Sequence, residues 1–323
     1  MEENSDLLQV NHLKKYFPAP RGWLHAVDDV TFSIAKGEIL GVVGESGCGK
    51  STLGRAILRL HEPTSGEIFF NGENILKANK RRRKQLRTQM QIIFQDPYAS
   101  LNPKMTVSQA IAAPLLIQGI YRHSQKEELN QKVKEMMDLA GLSQRLVNSY
   151  PHELDGGRRQ RIGIARALAL NPQFIVCDEP VSALDVSIQA QVLNLMQDLQ
   201  ERLGLTLMFI THDLSVVRHL SNHIVVMYLG QLVEKSEARR LFENPAHPYT
   251  KALLSAIPIP DPDCKMNRVV LHGELTSPIN PSPGCRFAKR CVFAQKLCFE
   301  SSADLKEIEP GHFVACHFAG GQS

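Results

Sequence analysis

Apolar and polar residues alternate from Leu7 to Lys14 and again from Val27 to Ile34, the two-residue period of half-buried strands. Ile39-Leu40-Gly41-Val42-Val43 is unbroken in its apolar character and predicts a strand covered on both faces. Helical spacing follows from Thr52 to Leu60. Gly66-Glu67-Ile68-Phe69-Phe70-Asn71-Gly72 predicts a strand closed by an Asn-Gly turn. Gln91 to Phe94 predicts a short buried strand that ends at Gln95. From about Val107 to Ala140 the pattern is helical, with breaks expected at Pro114 and around Gly119. The pair Gly156-Gly157 precedes a helix expected from about Arg159 to Leu170. Phe174 to Cys177 predicts an apolar strand, followed by a helix from about Ser187 to Leu203 and strands at Thr206–Ile210 and Ile224–Tyr228. This alternation places the chain in the α/β class. Beyond Pro258 the texture changes: prolines cluster, and four of the seven cysteines fall after residue 284. The expected organisation is one large domain over 1–257 and a loop-rich module over 258–323.

A chain of 323 residues has room for such a domain and an appendage. Its 43% hydrophobic and 22% charged content is that of a soluble globular protein. No apolar run approaches the ~18 residues of a membrane span, and MEENSDLLQV is too acidic and polar for a signal peptide. The expectation is a cytosolic protein, held at a membrane only through a partner. A net charge of +4 adds little, and the basic run Lys80 to Lys84 reads as a solvated loop or helix face, not a nucleic-acid surface.

The chemistry lies where the pattern changes. Gly44-Glu45-Ser46-Gly47-Cys48-Gly49-Lys50-Ser51 fits G-x-x-x-x-G-K-S between a strand and a helix, the context that a phosphate-binding loop requires. Glycines permit the tight turn, and the helix N-terminus favours anions. Lys50 reaches the β- and γ-phosphates, and Ser51 offers its hydroxyl to Mg²⁺, with Thr52 next in the loop's helix. Downstream, the strand at Phe174 delivers Asp178 and Glu179 at its C-terminal end, where open α/β sheets bind ligands. Read alone, that pair is also compatible with a helix N-cap. With the phosphate loop upstream, Asp178 is placed to hold Mg²⁺ and Glu179 to polarise water.

The ordered set of phosphate loop, Gln95, glycine-pair signature, Asp178-Glu179, Ser182-Ala183-Leu184-Asp185 and Thr211-His212-Asp213 resembles the ABC-type ATPases over residues ~7 to 257. The resemblance implies an α/β fold: a RecA-like P-loop NTPase core, an antiparallel β subdomain and a helical signature subdomain at about 100–170. It implies ATP and Mg²⁺ as ligands, with the metal held through Ser51, Gln95 and Asp178. Gln95 also links the site to a transmembrane partner. Glu179 is then the catalytic base, and His212 contacts the γ-phosphate and water. Phe17, with Tyr16 as second choice, stacks on adenine. Ser182 and Asp185 belong to the loop facing a second subunit. In this family two subunits sandwich two ATPs, each phosphate loop meeting the other subunit's signature, so the chain alone is expected to be a poor enzyme.

The signature here departs from the family's Leu-Ser-Gly-Gly-Gln and reads Leu154-Asp155-Gly156-Gly157-Arg158. The family's serine bonds the γ-phosphate held by the opposite subunit. At ~5 Å and an effective dielectric of ~20, an aspartate repels each unit of phosphate charge by roughly 3 kcal/mol. A helix terminus contributes about 0.3–1 kcal/mol at exposed sites and ~2 kcal/mol at most when partly buried, too little to cancel this. Arg158 offsets part of it if it turns towards the phosphates. The expectation is a partly impaired site, with a tolerated variation of mild effect as the alternative; an impaired site mildly favours a heterodimer whose partner supplies one intact signature. A weakly hydrolysing regulatory subunit is the competing reading.

Two longer segments narrow the resemblance. Gln95-Asp96-Pro97-Tyr98-Ala99-Ser100-Leu101-Asn102-Pro103 and Asn244-Pro245-Ala246-His247-Pro248-Tyr249-Thr250-Lys251-Ala252-Leu253-Leu254 are similar to the ATPase subunits of dipeptide and oligopeptide importers, as is Gly273 to Pro281. The resemblance implies a second homologous ATPase, two permeases, an extracytoplasmic solute-binding protein and no nucleic acid. It also implies a peripheral position on the cytoplasmic face of a prokaryotic inner membrane. Nickel, glutathione and antimicrobial-peptide systems use closely similar subunits. His247 and Tyr249 read as a packed hinge.

Cys285, Cys291, Cys298 and Cys316 are separated by five, six and seventeen residues. Cytosolic proteins seldom use disulfides, and these spacings exceed the zinc knuckle, whereas iron–sulfur clusters accept varied spacing. Resemblance to the importer ATPases also points to a [4Fe–4S] cluster, with zinc or no ligand as alternatives. Arg286, Lys289 and Arg290 are then expected to offset thiolate charge. Cys48, Cys177 and Cys264 read as core or incidental.

Overall fold

The computed structural model describes residues 6–122, 124–257, 269, 271, 273 and 278–319. Pro258, Pro260, Pro262 and Cys264, singled out above, lie outside the described residues, as do Glu274 to Ser277. Strands in chain order are β1 (Asp6–Ala19), β2 (Gly22–Ala35), β3 (Ile39–Val43), β4 (Ser65–Phe70), β5 (Glu73–Asn74) and β6 (Met90–Ile93). They continue with β7 (Phe174–Asp178), β8 (Thr206–Ile210), β9 (His223–Tyr228), β10 (Gln231–Glu237), β11 (Lys306–Glu309) and β12 (His312–Val314). The residues form two compact units, one mainly of Ile75–Phe209, the other of Asp6–Ile34, Ile39–Asn74 and the chain from Ile210 onward.

In the first unit β6 and β7 run parallel, Met90 opposite Phe174 and Ile93 opposite Cys177, and β8 lies beside β7. Every residue of β7 and β8 is buried, as their apolar runs require. Helices Val107–Gln118, Lys126–Leu139 and Gly156–Leu168 pack on one another, burying Ile111, Val133, Met137 and Ile162. The first runs straight through Pro114, where a break was expected, and stops at Gly119 in the left-handed conformation. A reciprocal cap fixes its start: Thr106 accepts from Gln109 N while the Gln109 side chain accepts from Thr106 N. The basic run opens a helix, Lys80–Gln89, whose one buried side chain is Leu86, consistent with a solvated face.

In the second unit one sheet has the order β2-β1-β4-β5. β4 and β5 form a hairpin through Asn71 and Gly72, both at positive φ (50° and 75°), the geometry that Asn-Gly provides. The other strands of this unit run in the order β11-β12-β10-β9-β3, with β3 and β9 parallel and the rest antiparallel. Glu234 of β10 has no exposure, yet accepts from the amides of Ala246 (2.7 Å) and His247 (2.9 Å) and pairs with His312 Nε2 of β12 at 2.7 Å. Glu234→Ala leaves two buried groups and one half-buried amide without their acceptor, and the expected loss is about 3–5 kcal/mol. Urea unfolding of the full chain measures it; a loss under about 1 kcal/mol contradicts the assignment.

Among the described residues, no helix is long and apolar enough to cross a membrane.

Candidate nucleotide-binding and hydrolysis site

The phosphate loop leaves buried β3 and enters the helix Lys50–Ile57. Its glycines are sterically required at two points. A Cβ on Gly44 (φ 150°) stands 2.2 Å from the Met227 carbonyl oxygen, and one on Gly49 (φ 106°) stands 2.0 Å from that of Ala26. Lys50 is 4% exposed, and its Nζ donates to the carbonyls of Gly44 (2.7 Å) and Glu45 (3.0 Å), so the ammonium is held against the loop. Ser46 and Gly47 are exposed, while Ser51 and Thr52 lie half-buried in the first turn of the helix.

Two further groups grip this loop. The Glu45 amide donates to the Tyr249 hydroxyl at 2.9 Å, and the Glu45 carboxylate is met by Arg290 at 2.8 and 3.1 Å. His247 and Tyr249 are buried. Burial lowers His247 to about 3, keeping its imidazole neutral.

The two adenine candidates differ in freedom. Tyr16 stacks on His25 at 3.9 Å and gives its hydroxyl to Asp28. Phe17 is half-buried and meets the edge of His61 at 5.5 Å, with Lys15 Nζ 4.7 Å from its ring centre. His212 follows β8 and is exposed, and Asp213 caps the next helix by accepting from Ser215 N at 2.8 Å.

In the first unit β7 ends on Asp178, 1% exposed, and then Glu179 at φ 48°. That left-handed backbone, immediately before Pro180, costs on the order of 1–3 kcal/mol and persists only where the surroundings impose it. Glu179 accepts from Gln95 Nε2 at 3.0 Å, so the structure brings together two catalytic candidates 84 positions apart. The segment after Gln95 is pinned to the signature helix: Arg159 lies 3.5 Å over the Tyr98 ring, and Arg166 donates to the Ser100 carbonyl. Ser182 Oγ donates to the Glu179 carbonyl at 3.1 Å. Asp185 caps the helix Val186–Leu203 through Ile188 N, leaving Val186 81% exposed.

Leu154 is buried and precedes the helix Gly156–Leu168, which Asp155 caps by accepting from Arg158 N at 2.8 Å. Arg158 does not turn away: its guanidinium pairs with Asp155 itself at 3.5 Å. Both side chains are about half exposed, so this pairing softens the carboxylate's charge by no more than ~1 kcal/mol.

The cysteine expectation is corrected. Cys285, Cys291, Cys298 and Cys316 do line one cavity of about 580 Å³, with Phe287, Phe293 and Phe318 among its walls. Yet among the described residues no group of three or more His, Cys, Asp or Glu is arranged to hold a metal ion. A [4Fe–4S] cluster or zinc is therefore not supported. Burial pushes the Cys285 and Cys291 thiols up, favouring the neutral form over the thiolate that ligation needs. The arginines expected to offset thiolate charge are engaged elsewhere, Arg286 with Asp28 and Arg290 with Glu45. Sequence reasoning missed these two pairings, because nothing in local spacing signals a bond across 245 residues or more.

Residues 27–182 match the ABC transporter family, and residues 233–298 match the oligopeptide/dipeptide transporter C-terminal region. The oligopeptide transport ATP-binding protein AppF of Bacillus subtilis (strain 168) is 51% identical over 321 residues, 96% of this chain and 97% of that protein. OppF of the same organism, also an oligopeptide transport ATP-binding protein, is 54% identical over 312 residues, 96% of each chain. The ATP-binding cassette MJ0796, solved as a dimer in a post-hydrolysis state with ADP and Pi, superposes with a TM-score of 0.65. It is 29% identical and aligns over 72% of this chain and 99% of that one. These likenesses and the phosphate loop agree: the chain has the ABC cassette fold and belongs to the ABC transporter ATPases, in the group of oligopeptide transport ATP-binding proteins.

Proposed function

We propose that this chain is the ATP-hydrolysing subunit that powers oligopeptide import through an ABC transporter. The observation that carries the reading is a buried Lys50 held against the carbonyls of an intact phosphate loop; within the other unit, Glu179 accepts from Gln95. ATP binds on residues Gly44 to Thr52, and Phe17, the less committed ring, stacks on the adenine. Mg²⁺ is held through Ser51, Gln95 and Asp178 and neutralises phosphate charge. Glu179 is the base that takes a proton from the attacking water, and His212 contacts the γ-phosphate. Two permeases surround the transported peptide, and the segment from Gln95 to Pro103 faces them. Tyr98, within that segment, is 62% exposed and supports a contact surface there. A solute-binding protein delivers the peptide from outside, and the chain sits peripherally on the cytoplasmic face. Residues 1–257 form the cassette and 258–323 an appended cysteine-containing module.

A second ATPase completes the sandwich through Ser182 and Asp185, with exposed Val186 beside them, and its signature serves this phosphate loop. Asp155 faces the partner's ATP, which favours a heterodimer. Asp155→Ser retains a helix-capping oxygen and removes the charge. It is expected to raise turnover of the assembled complex about threefold to tenfold, roughly 0.6–1.4 kcal/mol of the bare repulsion surviving screening. Steady-state phosphate release measures it, and an unchanged rate removes the impaired-site idea.

The assembly itself is tested by mild-detergent purification of the tagged chain from its native membranes with mass spectrometry of what accompanies it. Two permeases and a second ATPase are expected. Ribosomes, DNA-repair proteins or the chain alone overturn the transport reading.

A further inference from the structure

We infer that Arg290, in the C-terminal tail, is a positioning residue of the nucleotide site, setting ATP affinity by holding and neutralising the Glu45 carboxylate of the phosphate loop. The inference rests on the reading of residues 44–52 as the ATP site.

Three ties converge on that loop from one side. Arg290 meets Glu45 with both terminal nitrogens, a two-point bridge in which the side chains are 11% and 27% exposed. The planar guanidinium suits this fork, which a lysine ammonium cannot reproduce. Tyr249, fully buried against Tyr228 (4.7 Å) and Phe287 (5.5 Å), accepts from the Glu45 amide. Arg286 donates to the Leu229 carbonyl, and the adjoining Gly230 amide donates to the Cys48 carbonyl at 2.8 Å. Tail residues 286–290 are thus bonded, directly or through one intermediary, to both Glu45 and Cys48.

The electrostatics give these ties a consequence. A loop that receives a polyphosphate has little use for a carboxylate, and a free one at position 45 repels the ligand. Paired with Arg290, that charge is cancelled where it stands and the side chain is anchored towards the tail. Losing the guanidinium exposes the repulsion and frees the loop's second residue together. A purely structural salt bridge lacks the first effect, and this separates the two.

The test is equilibrium binding of a fluorescent ATP analogue with Mg²⁺ to the full chain, with thermal unfolding of each nucleotide-free variant alongside. Arg290→Ala is expected to raise Kd about tenfold, and Arg290→Lys to fall between that and native. Adding Glu45→Gln to Arg290→Ala is expected to recover the electrostatic part of that loss, leaving Kd between those of Arg290→Ala and native, because the uncompensated charge is gone while the anchor is still missing. The ratio of variant to native Kd is expected to shrink between about 0.05 and 0.5 M salt. An unchanged Kd in Arg290→Ala overturns the inference, and so does a double variant as weak as the single one. If Arg290→Ala does not fold, Arg290→Lys decides: a Kd above native is expected, and a native Kd contradicts the inference. Lys50→Ala keeps the two readings apart. Native-like binding in that variant means the loop assignment itself is wrong. Binding lost there but insensitive to Arg290 means that only the inference fails.

Discussion

Glu179→Gln is expected to lower ATP turnover of the assembled transporter by about 10²–10⁴-fold while leaving ATP affinity near native. The substitution preserves size and still presents an oxygen to Gln95 Nε2, which now donates to Glu179 at 3.0 Å. The left-handed backbone at this position (φ 48°) is set by the chain around Pro180 and is met equally by either side chain. What the amide lacks is a lone pair basic enough to accept a proton from water. Phosphate-release kinetics and nucleotide binding, measured on the same preparation, separate chemistry from binding. Turnover within about twofold of native removes Glu179 from catalysis and favours a regulatory subunit that binds ATP without hydrolysing it.

Gly49→Ala is expected to weaken ATP binding at least ~100-fold. Its Cβ falls 2.0 Å from the Ala26 carbonyl oxygen, a backbone atom with no rotamer to yield, and the residue sits at φ 106°. The loop must shift, and with it Lys50, the next residue. Gly47 offers the control: it too has positive φ (77°), but a Cβ there meets nothing within 4 Å. Gly47→Ala is therefore expected to cost about 1 kcal/mol of backbone strain, several-fold in affinity at most. Titration of both variants with the fluorescent ATP analogue checks the contrast; equal effects contradict the steric account. Together the two variants, Glu179→Gln and Gly49→Ala, divide binding from hydrolysis.

Most of the architecture was legible because it is written in local periodicity. The apolar run at 174–177 could hardly be anything but a covered strand, and β7 is buried throughout. Asn71-Gly72 announced its turn, and Gly119 the end of its helix. Pro114 was misleading: a proline costs one helical hydrogen bond, which neighbouring packing by Ile111 and Leu115 outweighs. The phosphate loop and the acidic pair were readable for a different reason, since each is a contiguous motif whose chemistry needs no distant partner. What stayed hidden was long-range. Arg290 looked like charge compensation for neighbouring cysteines, and only folding sets it beside Glu45. The cysteines looked like a ligand set because sequence records spacing but not placement in space, and among the described residues no group of three or more such side chains is arranged to hold a metal ion. Asp155 was read as a charge that Arg158 offsets by turning towards the phosphates, whereas it caps its own helix and pairs with Arg158 directly.

The central claim is that ATP hydrolysis on this chain powers oligopeptide import, and the most direct measurement is uptake in proteoliposomes. The purified transporter is reconstituted with its solute-binding protein, MgATP is supplied at the face carrying this chain, and a radiolabelled oligopeptide is followed across the bilayer. The account predicts accumulation of the peptide against its gradient that requires MgATP and disappears in Glu179→Gln. Equal peptide entry with and without ATP, or hydrolysis with no peptide movement, contradicts it.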